Sequence, residues 1–148
     1  METDMRPLLI VCALCSLATA ASADGFDIKV RFDDRTTLTL AQIGERVVVA
    51  AFYFGDPSAK GAAHADEMGQ IWLGNEEVEI DSLDQTVHLK AALDAEGLGW
   101  IKGAPRVNIN IFSARHADPN NLLNCALFED DIAVAQARAP VLRCVMLE

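Results

Sequence analysis

Apolar and polar residues alternate along several short segments of the chain, which is the pattern of β-strands with one buried and one exposed face. The clearest examples are residues 26–32, 37–40, 86–90 and 106–111. Residues 47–54 are instead apolar without interruption and rich in β-branched and aromatic side chains, so they predict a strand covered on both faces. The first strand and this central strand are expected to form much of the core.

Helical pattern is nearly absent after the first two dozen residues. Further strands are predicted at residues 71–73, 77–80, 122–128 and 141–147. Glycines at 97, 99 and 103 limit a helix near residues 91–96 to a single turn, and residues 130–137 fit a short helix or a loop. Roughly seven to nine short strands separated by turns predict an all-β fold, an antiparallel β-sandwich or an open barrel, with at most short helical turns.

The beginning of the chain has a different pattern. Arg6 precedes an apolar run from Leu8 to Leu17, and the small residues Ala21-Ser22-Ala23 follow. A positive end, an apolar centre and a small-residue cleavage site are the parts of a signal peptide, in that order. We therefore expect residues 1–23 to be a signal peptide and residues 24–148 to be a single domain in the bacterial periplasm or outside the cell.

Two details of this segment have alternatives. Cleavage is expected after Ala23, with Ala20 as a second possible site, and Met5 offers a second start that places Arg6 at the front of the signal. The apolar run is shorter than the roughly 20 residues needed to cross a bilayer. No stable membrane anchor is therefore expected after cleavage.

Charge restricts the partners of the exported domain. Without residues 1–23, Lys+Arg falls from 12 to 11 and Asp+Glu from 22 to 20, which leaves a formal charge of −9. An acidic surface repels phosphate backbones, so nucleic acid is not an expected partner. A cationic envelope or extracellular protein would be attracted.

Cysteine usage agrees with export. Cleavage removes Cys12 and Cys15 and leaves Cys125 and Cys144, an even pair in an oxidising compartment. Their spacing is not that of a Cys-x-x-Cys redox or metal motif, so a structural disulfide is predicted. It would join the last strand to the segment around Cys125.

One strand combines a strongly apolar side with an unusually polar one. Asn108 and Asn110 alternate with three apolar residues, and the chain continues to Arg115 and His116 before the turn at residues 118–121. Paired amides can donate to and accept from a ligand or a partner backbone. The same side chains can also bond across the sheet or face water, and the sequence leaves both readings open.

The composition of residues 55–69 predicts a long exposed loop, and residues 56–68 within it form the second candidate, because such loops often carry recognition. Asp56 and His64 are its candidate binding residues. His64, Asp66 and Glu67, with distant His116, also raise the alternative of a metal-binding protein or a metalloenzyme, although their spacing matches no established site.

No catalytic arrangement is evident in the sequence. The serines after residue 23 are Ser58, Ser82 and Ser113, and none lies in a Gly-x-Ser-x-Gly motif. We therefore expect a non-enzymatic binding domain without a cofactor, for example an inhibitor or immunity-type partner of a cationic hydrolase such as a lysozyme. A metal-binding protein and an accessory subunit of a cell-envelope assembly that docks by strand addition are the alternatives.

Overall fold

A computed structural model describes residues 24–148, so the predicted signal peptide and its cleavage sites lie outside the described residues. The described chain is mostly β, as predicted. Its strands are β1 (Phe26–Phe32), β2 (Val47–Pro57), β3 (Ile71–Ile80), β4 (Gln85–Leu89), β5 (Ile101–Ser113), β6 (Leu123–Cys125), β7 (Phe128–Asp131) and β8 (Val141–Met146). Its helices are α1 (Asp34–Ile43), α2 (Ala95–Leu98) and α3 (Ile132–Ala137), with a 3₁₀ turn at Ala62–His64.

The strands form two four-stranded sheets. The first sheet has the order β4-β1-β8-β6 and the second has the order β3-β2-β5-β7. Every pairing is antiparallel except that of β1 with β8, which is parallel. That pair corrects the purely antiparallel prediction: β1 and β8 are far apart in sequence, and no hairpin turn requires them to run in opposite directions.

The hydrophobic core is formed largely by alternate residues of the strands, whose side chains point to the inner face of each sheet. In β1 the buried side chains are Phe26, Ile28 and Val30, as the sequence pattern predicts. Buried side chains of both sheets and of α1 and α3 belong to one hydrophobic cluster. In residues 24–148 no helix is long and apolar enough to cross a membrane.

Residues 37–40 are helical, so the strand predicted there is wrong, and α1 with its ten residues is more than the short turns expected. The Asp33 side chain accepts from the Thr36 N–H at 2.8 Å and begins the helix, while Gly44, with φ of 71°, ends it. Thr36 and Leu40 are buried one helical turn apart, whereas Leu38 is 61% exposed. Four alternating residues are too few to distinguish the period of a strand from that of a helix. The caps at Asp33 and Gly44 favour the helix.

The predicted loop at residues 55–69 is shorter than expected. β2 continues to Pro57, where it pairs with β5 at Asp56 and Lys102, and the 3₁₀ turn adds local order. This end of β2 finds a partner because β5 begins at Ile101, five residues before the alternating segment at 106–111 from which the strand was predicted. Downstream, the single strand predicted at 122–128 is divided into β6 and the start of β7.

The predicted disulfide is confirmed. Cys125 and Cys144 are joined with an S–S distance of 2.03 Å, and they are direct neighbours in the pairing of β6 with β8. Cys144 is buried in the core cluster. The bridge therefore fixes the short strand β6 to the last strand of the chain.

Candidate functional site

The second sheet has one face in the core and one face toward solvent, and β2 runs through its centre. Val47, Val49, Ala51 and Tyr53 point into the core. The residues between them, Val48, Ala50 and Phe52, are therefore on the outer side and are partly exposed.

Strand register decides what surrounds these outward residues. Ala50 lies between Glu77 of β3 and Asn110 of β5, and Phe52 lies between Asn75 and Asn108. We call the outer side of this sheet the polar face. It is defined by Val48, Ala50, Phe52, Phe54, Asn75, Glu77, Glu79, Arg106, Asn108, Asn110 and Phe112.

A shallow concavity lies at the middle of the polar face. Ala50 is small, whereas its neighbours on all sides carry larger side chains, so a depression of about 380 Å³ is left above it. We call this the Ala50 depression. Its lining residues are Ala50, Ala51, Phe52, Asn75, Glu76, Glu77, Asn108 and Asn110.

The polar side chains around the depression differ in how far they are already bonded. Asn108 donates to a Glu129 carboxylate oxygen at 2.8 Å, and Arg106 donates to the other oxygen of that carboxylate at 3.2 Å. Among residues 24–148, the side chains of Asn75, Glu77 and Asn110 form no hydrogen bond or ion pair with one another or with their neighbours. These three groups are available to a ligand without loss of an internal bond.

Glu76 also lines the depression, but both oxygens of its carboxylate are already bonded within the protein. It accepts from the Tyr53 hydroxyl and from the backbone N–H groups of Lys90 and Ala91. Burial, followed by the bond to Glu76, raises the pKa of Tyr53 far above its usual value, so the hydroxyl stays protonated and donates. Glu76 therefore holds the end of β4 to β3, and Glu77 is the carboxylate left for a ligand.

Aromatic rings lie along the same face. The guanidinium of Arg106 lies over the Phe54 ring at 5.1 Å, and that of Arg115 lies over Phe112 at 5.9 Å. Phe54 is only 1% exposed although it is not part of the core cluster, because it is covered on the outer side of the sheet. Phe52 stacks against Phe54 at 6.0 Å and borders the Ala50 depression.

The segment with Arg115 and His116 is held at one end of the polar face by Glu45. This carboxylate is buried, with 4% exposure, and accepts from the backbone N–H groups of His116 at 3.1 Å and Ala117 at 2.9 Å. Burial would raise the pKa of Glu45, but the backbone hydrogen bonds outweigh it and lower the pKa. Arg115 has a φ of 63°, a turn conformation that these bonds help to hold.

His116 reaches back to the polar face. Its Nε2 lies 3.1 Å from Glu79 Oε1, and the same oxygen lies 2.7 Å from Nε of Arg46. Arg46 also donates to Asp81 at 2.7 Å. These exposed contacts fix the side-chain geometry at this edge of the sheet more than they stabilise the fold.

The structure brings four of the six predicted binding residues together. Asn108, Asn110, Arg115 and His116 lie on or beside the polar face, as one strand and its following turn should place them. Asp56 and His64 lie toward the opposite end of β2. His64 stacks on Trp100 with ring centroids 3.7 Å apart, so its ring packs against the protein.

The loop suggested as a metal site has a different arrangement. The Asp66 carboxylate accepts from the backbone N–H groups of Met68 at 2.9 Å and Gln70 at 3.0 Å, which makes it a turn-forming group. Within the part of the chain that the structure describes, no three His, Cys, Asp or Glu residues are grouped so that they could hold a metal. Geometry thus gives the metal alternative no support.

Sequence reasoning missed Ala50, Phe52 and Asn75 as parts of a site, and it did not connect Glu77 with Asn108 and Asn110. The sequence shows only one small residue in a strand of bulky residues, and polar residues about 25 positions further along the chain. It does not show that these positions pair, because the register between two strands is not visible in the sequence. Comparisons with protein-family models, with curated proteins and with solved structures found no match.

Proposed function

We propose that this protein is an exported, non-enzymatic binding domain whose polar face docks a cationic protein of the cell envelope or the extracellular space. In this proposal residues 1–23 direct export and the two sheets are stacked as a β-sandwich scaffold. The observation that carries it is the group of three unbonded polar side chains, Asn75, Glu77 and Asn110, around a depression beside the partly exposed ring of Phe52.

The composition of the polar face supports docking. Aromatic side chains and arginine are enriched where proteins bind each other, and both line this face. The unbonded amides and carboxylate can replace their water contacts with a partner's groups, and no internal hydrogen bond is lost. The formal charge of −9 after residue 23 favours the approach of a basic partner.

The site is also rigid, which limits the entropic cost of binding. β2 pairs along nearly its whole length with both β3 and β5, so the floor of the depression is fixed on two sides. Glu45 holds the adjacent turn through backbone N–H groups. A surface already ordered in the free protein loses little freedom when a partner binds.

A specific form of the proposal is inhibition of a cationic hydrolase, such as a lysozyme. Its test is titration of the purified domain into a panel of basic hydrolases at low and at moderate salt. Stoichiometric inhibition that weakens with salt is expected, because screening reduces the attraction between opposite charges. No inhibition of any enzyme in the panel would overturn this specific form.

A matched pair of variants links the activity to the polar face. Glu77→Lys reverses a charge in the Ala50 depression, and Glu67→Lys makes the same charge change in the exposed loop before β3. We expect the first variant to lose at least tenfold in inhibition or binding and the second to stay within about twofold, since only the first places a positive charge where a bound cationic partner would cover it. Equal losses would show that net charge alone acts.

A second candidate is an accessory subunit of an envelope assembly. It is favoured by β3, a ten-residue strand that ends the second sheet and offers backbone groups for strand addition. In that case a partner would protect the backbone amides of β3 from hydrogen exchange, while Glu77→Lys would have little effect. Protection confined to β2 and β5, with the amides of β3 unchanged, would exclude this candidate.

A further inference from the structure

We infer that the Ala50 depression is an arginine-binding subsite, in which the guanidinium of a partner's arginine lies over Phe52 and pairs with Glu77. The inference rests on the proposed function, because it names the side chain through which a cationic partner would be recognised. It is carried by the guanidinium groups of this chain that already lie over phenylalanine rings on the polar face.

Three phenylalanines lie on the polar face, and two of them already carry an arginine of this chain. Arg106 covers Phe54 at 5.1 Å and Arg115 covers Phe112 at 5.9 Å. Among the described residues, Phe52 has no such guanidinium, although it is also on the outer side of the sheet and adjoins the depression. The sheet thus presents a third ring whose cationic partner is not supplied internally.

The spacing of the walls favours a guanidinium over an ammonium group. Glu77 and Asn110 flank Ala50 on neighbouring strands, which places their backbones roughly 10 Å apart at two strand spacings. Side chains rising from both walls leave a gap that a flat group can enter. A guanidinium has five N–H donors in one plane and can reach both walls, whereas an ammonium is a compact point charge.

The acceptors present have the right chemistry. Glu77 supplies a carboxylate, and Asn75 and Asn110 supply amide oxygens that are not engaged in the protein. Glu76, the other carboxylate of the lining, is already bonded to Tyr53 and to the backbone after β4. A partner's guanidinium therefore meets one available carboxylate, that of Glu77, and two available amide oxygens, those of Asn75 and Asn110.

The test uses three short peptides and the ¹⁵N spectrum of residues 24–148. Acetyl-Gly-Arg-Gly-amide is titrated first, followed by the same peptide with lysine and with citrulline, the neutral analogue of arginine. We expect saturable shifts centred on Ala50, Phe52, Glu77 and Asn110 with the arginine peptide. The lysine peptide should bind at least threefold more weakly, and citrulline should give no saturable shift.

Variants separate the two contacts that the subsite would make. Phe52→Leu keeps an apolar side chain but removes the ring, and we expect it to weaken binding of the arginine peptide by roughly threefold. Glu77→Gln should weaken it by a similar or larger factor, while Glu67→Gln, in the loop before β3, should have no effect. The unbound spectrum of each variant reports whether the fold is intact.

Equal affinity for arginine and lysine peptides, unchanged binding by Phe52→Leu, or no shift at tens of millimolar would each overturn the subsite. The proposed function fails separately. If a cationic partner binds wild type and is lost with Glu77→Lys while the peptides fail, docking stands without an arginine anchor. If the peptides bind but no basic partner does, the subsite stands and its proposed biological use does not.

Discussion

Among single residues, Glu45 is the one that binds the backbone of the turn with Arg115 and His116. Its buried carboxylate accepts from consecutive backbone N–H groups of the turn, although it is more than 70 positions away in sequence. A carboxylate bonded in this way holds the backbone of the turn in one position. Its replacement should therefore affect both stability and the position of Arg115.

We predict that Glu45→Gln lowers the free energy of unfolding by about 1 kcal/mol at pH 7, because an amide replaces a charged acceptor. The pKa of Glu45 is lower in the folded state than in the unfolded state, so its contribution is present above about pH 4.3 and is lost as the pH falls through the folded pKa. Urea unfolding at pH 7 and pH 3 should show the gap to wild type shrinking with acid. An unchanged gap at pH 3 would contradict this account, and Glu67→Gln is the control.

Sequence patterns reach the polar residues of one strand but not the site they belong to. Asn108 and Asn110 were recognisable because they alternate with apolar residues in a strong strand. Ala50 and Glu77 join them only through the register of β2 with both neighbours, and Arg115 reaches Phe112 only through the turn that Glu45 holds. Register and long-range hydrogen bonds are properties of the folded chain, so no local pattern reports them.

At the scale of secondary-structure elements, α1 is the clearest departure from the sequence pattern. The helix buries Leu40 completely and leaves Leu38 61% exposed. In a strand these two residues would share one face, so their mutational effects would be alike.

We predict that Leu40→Ala lowers the free energy of unfolding by about 3 kcal/mol, because it leaves a cavity in the core. Leu38→Ala should change it by less than about 0.5 kcal/mol, since that side chain faces solvent. Urea denaturation of both variants measures the difference. Similar losses in the two variants would mean that residues 37–40 do not form this helix.

The disulfide is the second element-scale feature with a measurable effect. It closes a loop of 19 positions and holds β6, which has only three residues, to β8. We predict that the double variant Cys125→Ala/Cys144→Ala is less stable by roughly 3 kcal/mol, since the unfolded chain is no longer restrained. Urea unfolding with and without reductant gives the comparison: reductant should lower wild type toward the variant and leave the variant unchanged. A reductant-insensitive wild type would contradict it.

Strands were predictable from the sequence where the alternating or the continuous apolar pattern extended over at least five or six residues. β1 and β5 each contain several alternating residues, and β2 is apolar from Val47 to Phe54, so these parts of the three strands were found from the sequence. α1 was missed because Asp33 and Gly44, its two caps, lie outside the four residues that alternate. The parallel pairing of β1 with β8 was missed because partners at opposite ends of a chain have no signal within either strand.

At the scale of the whole molecule, export is the proposal on which the choice of partner depends. We predict that protein recovered from a periplasmic extract has an intact mass beginning at Asp24 and that two thiols become available for alkylation only after reduction. Mass spectrometry with and without reduction measures both. A full-length mass with free thiols would contradict export and would remove the envelope from the list of partner compartments.

The central claim is that the polar face is where a cationic partner binds, and site-specific photo-crosslinking in intact cells tests it most directly. A crosslinker at Asn110 reports on the polar face, and one at exposed Thr86 reports on the outer side of the other sheet. We predict a defined adduct with a basic envelope protein from position 110, abolished by Glu77→Lys, and none from position 86. Adducts from position 86 alone, or adducts insensitive to Glu77→Lys, would contradict the claim.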